Sequence, residues 1–305
     1  MAKYLGKRLL QSVIAILGVT LVVFLVLNVA GDPVTLMLPA NASFEEIEAL
    51  KAKLGYDDPV FVQYFRFLGN ALRGDFGLSY NYYQPALSVV LERVPATATL
   101  ALAAFAVSLL ISIPAGIVAA VRRNSKTDAV IRTLALLGQC VPAFWLGIML
   151  MLLFSVKLKL LPTSGFESWS ALILPAATLG LFSAATFTRM LRSNMIEVMG
   201  KEYIDTARSK GLSERVVVWK HAFKNALSSL LTVMGLQIAG LLGGAVITET
   251  VFAWPGIGRL LVQSINNSDF NVVEVIVILM ATSFVVINFI VDVLYCVVNP
   301  RIQLQ

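Results

Sequence analysis

Long apolar runs alternate with short polar segments along this chain, and the runs have the length of membrane-spanning helices. A helix needs about 20 apolar residues to cross a hydrocarbon core of about 30 Å. Six runs meet this requirement, and five of them contain no charged residue. They are Leu9 to Ala30, Ala96 to Val121, Thr133 to Val156, Ser168 to Thr188, Asn225 to Thr248, and Val275 to Asn299, which holds Asp292. The pattern predicts an all-α, polytopic membrane protein with six transmembrane helices.

The polar segment after the first run predicts two further helices. Ser43 and Glu46 have the spacing of a capping box and Gly55 is a helix stop, so residues 44–54 are expected to be helical. Between Val60 and Leu72, apolar residues recur at intervals of three and four. We expect both helices to lie on the outer membrane surface or to pack on the ends of the spans.

Prolines and glycines mark the places where the spans depart from plain apolar helices. Pro114, Pro142 and Pro175 lie in or near spans two, three and four and are candidates for kinks. Span five carries small residues that allow another helix to approach closely. They are Gly235, Gly240, Gly243 and Gly244.

Composition and charge support the membrane interpretation and give an orientation. Hydrophobic residues make up 58% of the 305 residues and charged residues 14%, with a mean hydropathy of +0.80. A soluble domain carries about 25% charged residues, so an ordinary soluble enzyme is excluded. Placing the N-terminus inside assigns 16 of the 24 Lys and Arg residues to the cytoplasmic side, which predicts both termini inside. The net charge of +6 is dispersed among short segments, so it does not indicate a nucleic-acid partner.

These observations predict how the chain is organised. The predicted parts are a cytoplasmic N-terminus with the first transmembrane helix (1–30), an extracytoplasmic segment with short helices (31–95), a five-helix transmembrane core (96–299) that includes a cytoplasmic loop (189–224), and a cytoplasmic tail (300–305).

The cytoplasmic loop is long and patterned as helix, glycine turn, helix. A helix over Met199 to Lys210 would place Tyr203, Ile204 and Ala207 on one face. Gly211 then supplies a left-handed stop. Ser213 is placed to cap the following segment, which continues towards span five.

Within this loop, Asp205, Thr206, Ala207 and Gly211 fall on the pattern E-A-A, three residues, then Gly. The loop resembles the EAA loop of permease subunits from binding-protein-dependent ABC importers, with Asp for Glu and Thr for the first Ala. In that family the loop forms a coupling helix in a groove of a separate ATPase subunit. The resemblance implies ATPase contacts for Glu202, Tyr203, Asp205, Thr206, Ala207, Arg208, Lys210 and Gly211.

Further motifs extend the resemblance along nearly the whole chain, to the peptide and nickel branch of this family. In order they are Gly31-Asp32-Pro33, Leu54 to Pro59, Gly74 to Ser79, Arg93 to Thr97, Leu174-Pro175-Ala176, Thr248 to Gly258, Val291-Asp292 and Asn299-Pro300-Arg301. The resemblance implies a type I importer permease in a bacterial inner membrane. It also implies a second homologous permease, two ATPase subunits that bind ATP and Mg²⁺, and an extracytoplasmic binding protein.

The chain itself shows no motif for chemistry. No GxxxxGK[ST] phosphate loop is present, so ATP is expected on another chain. His221 is the single histidine, which excludes a cluster of imidazole ligands. We predict no catalytic residue, metal site or cofactor in this chain.

A few polar residues in or beside the spans are candidates for function. An acid inside a span is a candidate relay, but Asp292 lies near the cytoplasmic end, where Arg301 or a loop cation can reach it, so a structural pairing is favoured. Glu249 and Glu274 are expected to be solvated acids at the outer ends of spans five and six, with contact to a receptor or cationic cargo as the alternative. Gln237 in span five is a candidate pathway contact.

The resemblance implies an ATP-driven importer of dipeptides, oligopeptides or related peptides such as glutathione. Within the same family, a nickel or metallophore importer is the alternative. A proton-coupled secondary transporter is a rival from another class, and it normally requires ionisable residues at the bilayer midplane.

Overall fold

The computed structural model describes residues 2–30, 43–55, 57–166 and 168–298. Helices and turns account for these residues, apart from one isolated antiparallel bridge between Leu78 and Pro85. The motifs Gly31-Asp32-Pro33 and Asn299-Pro300-Arg301 lie outside the described residues, as does Tyr56.

The α-helices in chain order are α1 Ala2–Ala30, α2 Phe44–Leu54, α3 Val60–Leu72, α4 Ala86–Leu91, α5 Val94–Val121, α6 Lys126–Cys140, α7 Ala143–Leu150, α8 Trp169–Met199, α9 Glu202–Ser209, α10 Glu214–Val216, α11 Lys224–Val251, α12 Ile257–Asn266 and α13 Phe270–Val298. One π-helical turn, Met151–Lys157, extends α7, and another, Val217–Phe223, joins α10 to α11.

Both predicted outer helices form with the expected bounds. The capping box of α2 is complete, because Glu46 N–H donates to Ser43 Oγ at 3.2 Å and Ser43 N–H donates to Glu46 Oε2 at 2.8 Å. Gly55 ends α2 at φ +74°. Helix α3 packs on α1, where the hydroxyls of Tyr64 and Thr20 lie 3.0 Å apart. This contact lies within the first predicted span, and the placement of the outer helices on the membrane surface or on the ends of the spans stays a prediction.

Four helical segments of the described chain are long and apolar enough to cross a membrane, and counting two bent pairs as one span each gives six. The straight segments are Gly6–Val26, Ala86–Val121, Trp169–Met199 and Phe270–Val293. The bent pairs are Lys126–Cys140 with Ala143–Lys157, at 104°, and Val233–Leu241 with Ala245–Val251, at 42°.

The predicted third span over residues 133–156 is broken at Pro142, one of the three predicted kink sites. The chain leaves the helix at Val141, which has φ −78° and ψ 124°, and restarts after Pro142. Proline disfavours the helical conformation of the residue before it, which explains the break. Helices α5 and α8 continue through Pro114 and Pro175.

Helices α5 and α8 form the centre of the bundle. They approach so closely that a Cβ on Gly180 would lie 2.6 Å from the carbonyl oxygen of Ala104. Helix α11 packs against α8 and α13, and α1 lies along α13. Separate apolar clusters fill the cytoplasmic and outer parts of this bundle.

Candidate functional site

The cytoplasmic loop contains a short helix held against the ends of the spans. Helix α8 runs on to Met199, the chain turns at Gly200 and Lys201, and α9 begins at Glu202. Ile204 is fully buried and Ala207 is 6% exposed. Tyr203, which the sequence places on the same face as these two residues, is 44% exposed. The predicted single helix from residue 199 to 210 is divided at the turn.

Gly211 ends α9 in the conformation that the sequence predicts. Its φ is +77°, its N–H donates to Arg208 O at 2.9 Å, and the N–H of Leu212 donates to Ala207 O at 3.4 Å. These two bonds are the pair that defines a Schellman cap, in which glycine is favoured at the left-handed position. The turn therefore closes the helix without help from side chains.

Ion pairs join α9 to the segment that follows. Arg208 Nε donates to Glu214 Oε1 at 2.7 Å, and Arg208 Nη1 lies 3.4 Å from Asp205 Oδ1. The hydrogen bond with Glu214 raises the pKa of the Arg208 guanidinium. Ser213 stands at the N-cap position of α10, but its hydroxyl makes no capping hydrogen bond, so the predicted cap is wrong. Arg208 supplies the connection instead.

The buried side of α9 belongs to the same apolar cluster as three transmembrane helices. Ile204 and Ala207 share this cluster with residues of α5, α8, the π-helical turn and α11. Those residues are Ile117, Ala120, Phe187, Leu191, Met195, Val217, Val218, Ala222, Ala226, Leu230 and Met234. The opposite side of α9 is exposed and presents Tyr203, Asp205, Thr206 and Lys210. The helix is thus anchored to the bundle on one side and open on the other.

Glu249 is fully buried at the outer end of α11. Its Oε1 accepts a hydrogen bond from Thr97 Oγ1 at 2.6 Å, and its Oε2 accepts one from the N–H of Arg259 at 3.0 Å. The N–H of Ile257 donates to Thr97 Oγ1 at 2.8 Å, so both side chains serve the N-terminus of α12. A carboxylate there complements the helix dipole. The expectation of a solvated acid is wrong because the carboxylate is enclosed, and contact with a receptor or a cationic cargo stays a prediction.

The segment around Gly74 to Ser79 is fixed to the junction of α12 and α13. Asp269 is fully buried and accepts hydrogen bonds from Ser79 Oγ at 2.5 Å and from the N–H of Asn81 at 3.3 Å. Asn271 Nδ2 donates to Leu78 O at 2.8 Å. The outer segment is therefore docked on the transmembrane core.

The remaining candidates have different outcomes. Asp292 forms an ion pair with Arg8 Nε at 3.3 Å, which confirms a structural pairing with a partner on α1, whereas Arg301 lies outside the described residues. Glu274 and Gln237 are half-buried, and their contact with a receptor or pathway stays a prediction.

Sequence reasoning missed Asp128, a fully buried acid at the start of α6. Its partners are Arg192, Arg132 and the N–H of Asn124. Ser125 stands three residues before it, and this capping spacing was the local signal for the position. Its partner on α8 is 64 residues away in the chain and has no local signature.

We also searched the described part of the chain for a metal-binding site. No group of three or more His, Cys, Asp or Glu side chains in that part could hold a metal ion. The polar groups described above instead bind one another across helix boundaries.

A bundle of apolar helices with a short, anchored helix on its cytoplasmic side defines a membrane-embedded transport subunit. Residues 112–304 match the family described as the binding-protein-dependent transport system inner membrane component, and residues 1–101 match the N-terminal region of such membrane components. The chain belongs to this family. It is a permease subunit of an ABC importer in a bacterial inner membrane.

Relatives of this chain include the glutathione transport system permease protein GsiC of Escherichia coli (strain K12) and of Shigella dysenteriae serotype 1. Each is 40% identical over 304 residues, which cover 99% of both chains. Among solved structures, the inward-facing MetNI methionine ABC transporter aligns with a TM-score of 0.60 at 18% identity, over 70% of this chain and 97% of the other. An amino acid ABC transporter aligns with a TM-score of 0.51 at 16% identity, over 70% and 94%. These structures support the fold alone.

Proposed function

We propose that this chain is one of two permease subunits of an ATP-driven importer for glutathione or related small peptides. The observation that carries the proposal is the 40% identity over 99% of both chains to a permease whose name specifies glutathione transport. The chain forms half of the translocation pathway and does no chemistry. ATP and Mg²⁺ bind to separate ATPase subunits, and an extracytoplasmic protein delivers the cargo.

In this proposal α9 is the coupling helix. Its exposed side carries Tyr203, Asp205, Thr206 and Lys210, a mixed polar surface suited to a groove on a soluble partner. Its buried side is part of the apolar cluster that contains the ends of α5, α8 and α11. Closely packed interiors transmit displacement because they do not deform continuously. A movement of the ATPase subunits is therefore passed to three spans at once.

At the outer end of the bundle, hydrogen bonds join α12 to α5 and α11, two of the helices that share the apolar cluster with α9 at the cytoplasmic end. Glu249 and Thr97 hold the N-terminus of α12, so α5, α11 and α12 are joined there by hydrogen bonds. Alternating access requires the two ends of the pathway to open in turn. A body that is packed at one end and hydrogen-bonded at the other can tilt as a unit.

The first experiment is gentle affinity purification from native membranes, with mass spectrometry of the proteins that remain bound. We expect a second permease and chains with phosphate loops. The complex is then reconstituted in proteoliposomes with its binding protein, and uptake of labelled glutathione is measured with and without ATP.

ATP-dependent uptake of glutathione supports the proposal. Binding of a nickel complex or a dipeptide by the purified binding protein, with no binding of glutathione, would replace the cargo but keep the mechanism. Recovery of this chain alone, active with a pH gradient and without ATP, would refute the importer mechanism.

A further inference from the structure

Asp128 connects two transmembrane helices near the cytoplasmic side. Arg192 Nε on α8 donates to Asp128 Oδ1 at 2.6 Å, and Arg192 Nη2 donates to Oδ2 at 2.7 Å. Two parallel bonds between a guanidinium and a carboxylate fix orientation as well as distance. The Asp128 side chain is fully buried, and that of Arg192 is 18% exposed.

The same carboxylate shapes the turn before α6. The N–H of Asn124, which has φ +63°, donates to Asp128 Oδ2 at 3.0 Å, and the N–H of Asp128 donates to Ser125 Oγ at 3.2 Å. Arg132 also reaches Oδ1, at 3.5 Å, but its side chain is 54% exposed and lies on the same helix. Arg192 is therefore the contact that crosses between helices.

A second polar contact joins α6 to α8 at the other end of α6. Arg189 Nη1 donates to Gln139 Oε1 at 2.6 Å, and Gln139 Nε2 donates to Thr186 Oγ1 at 2.8 Å. Cys140, where α6 ends and the 104° bend begins, directly follows Gln139. Helix α6 is thus held to α8 at both ends, up to the bend.

The α8 half of this connection is also the base of the cytoplasmic loop. Arg192 lies between Leu191 and Met195, which belong to the apolar cluster that includes Ile204 and Ala207 of α9. One stretch of α8 therefore belongs to the same apolar cluster as α9 and is joined to α6 by the ion pair. A buried ion pair is weak evidence for stability, because a packed apolar pair often serves equally well.

We propose that Asp128 is a positioning residue for ATP-driven transport. It joins α6 to α8, which shares an apolar cluster with α9, so that displacement of α9 reaches the bend after Cys140. This inference rests on the proposed function. It assigns to α6 and α7 a role in the conformational change that neither the loop motif nor the comparisons assign. Loss of the Asp128 contact leaves α9 attached to the ATPase subunits, but of the polar contacts between α6 and α8 among the described residues only those of Gln139 then remain, so less of the movement reaches the bent span.

The test measures ATP hydrolysis and labelled glutathione uptake on the same proteoliposomes, which hold the complete transporter and its binding protein. Asp128→Asn removes the charge at nearly constant volume. Arg132→Gln is the matched control, because it removes a contact to the same carboxylate from a residue of the same helix, α6. We expect Asp128→Asn to keep ATP hydrolysis near the wild-type rate and to lower uptake per ATP by about tenfold, within the usual range of coupling between sites. Arg132→Gln keeps the wild-type ratio.

Other outcomes would overturn the inference. If uptake and ATP hydrolysis both fall in proportion to the amount of assembled complex, Asp128 has a purely structural role. If Arg132→Gln lowers uptake per ATP as much as Asp128→Asn does, the effect comes from charge balance alone. Where Asp128→Asn does not assemble, Arg192→Lys is measured, since it keeps the charge but loses the bidentate geometry; failure of that variant to assemble also indicates a structural role. Absence of ATP-driven uptake in the wild type would refute the proposed function itself.

Discussion

Substitutions of Gly211 distinguish the effect of backbone strain in this chain from the effect of a lost contact with a partner subunit. The residue has φ +77°, and a Cβ built on it would have no atom within 4 Å among the described residues. A side chain at this position costs about 1 kcal/mol of backbone strain in the left-handed region. Because the surrounding space is open, the chain itself tolerates arginine there about as well as alanine.

The two variants should therefore behave alike in the isolated chain and differently in the assembled importer. A strain of about 1 kcal/mol changes an equilibrium constant about fivefold, so Gly211→Ala should weaken uptake by no more than that factor. Gly211→Arg adds a long cation beside α9. If α9 lies in a groove of an ATPase subunit, we expect Gly211→Arg to abolish uptake and the recovery of ATPase subunits.

The assay combines three measurements on each variant: the amount of protein in the membrane, the ATPase subunits recovered with it, and ATP-driven uptake of labelled glutathione. Gly165→Arg is a control, because Gly165 also has a positive φ, +108°, and its Cβ would meet no atom of the described residues within 4 Å, but it lies on the predicted outer side. It should leave ATPase recovery unchanged. Equal behaviour of Gly211→Arg and Gly211→Ala would refute docking of α9 on a partner.

Three further predictions concern the spans. Gly180→Ala places a Cβ 2.6 Å from Ala104 O and should lower the thermal unfolding temperature in detergent, whereas Gly243→Ala meets no atom within 4 Å among the described residues and should not. Glu249→Gln removes a charge bonded to the N-terminus of α12 and should cost about 2 kcal/mol of stability, measured by denaturant unfolding; an unchanged midpoint would contradict its role there. Glu274→Gln should leave ATP-driven uptake intact, and loss of uptake would favour an ionisable pathway group.

The local parts of the fold are predictable from the sequence because their causes are local. The bounds of α2 follow from Ser43, Glu46 and Gly55, which satisfy the helix ends with neighbouring backbone groups. The stop at Gly211 follows in the same way. Pro142 likewise marks the place of the bend in the third span, but the angle of 104° does not follow, because an apolar run has the same composition whether it kinks slightly there or turns sharply.

Contacts between distant residues account for the other errors. Glu249 reads as a helix-end acid because Thr97, its partner, is 152 residues away and on another helix. The predicted helix over Met199 to Lys210 is a different case, because a local turn at Gly200 and Lys201 divides it. The sequence gives the residue types at such sites, but burial and partners depend on the packing of the whole bundle.

Three of the described acids provide an argument about whether ATP or a proton gradient is the energy source. A relay acid must lose and regain its proton without loss of its surroundings. Asp128, Glu249 and Asp292 each face donors or cations from another helix, so protonation would weaken these contacts between helices. These acids are therefore suited to hold helices together, and the proposed cycle driven through α9 would make use of that rigidity.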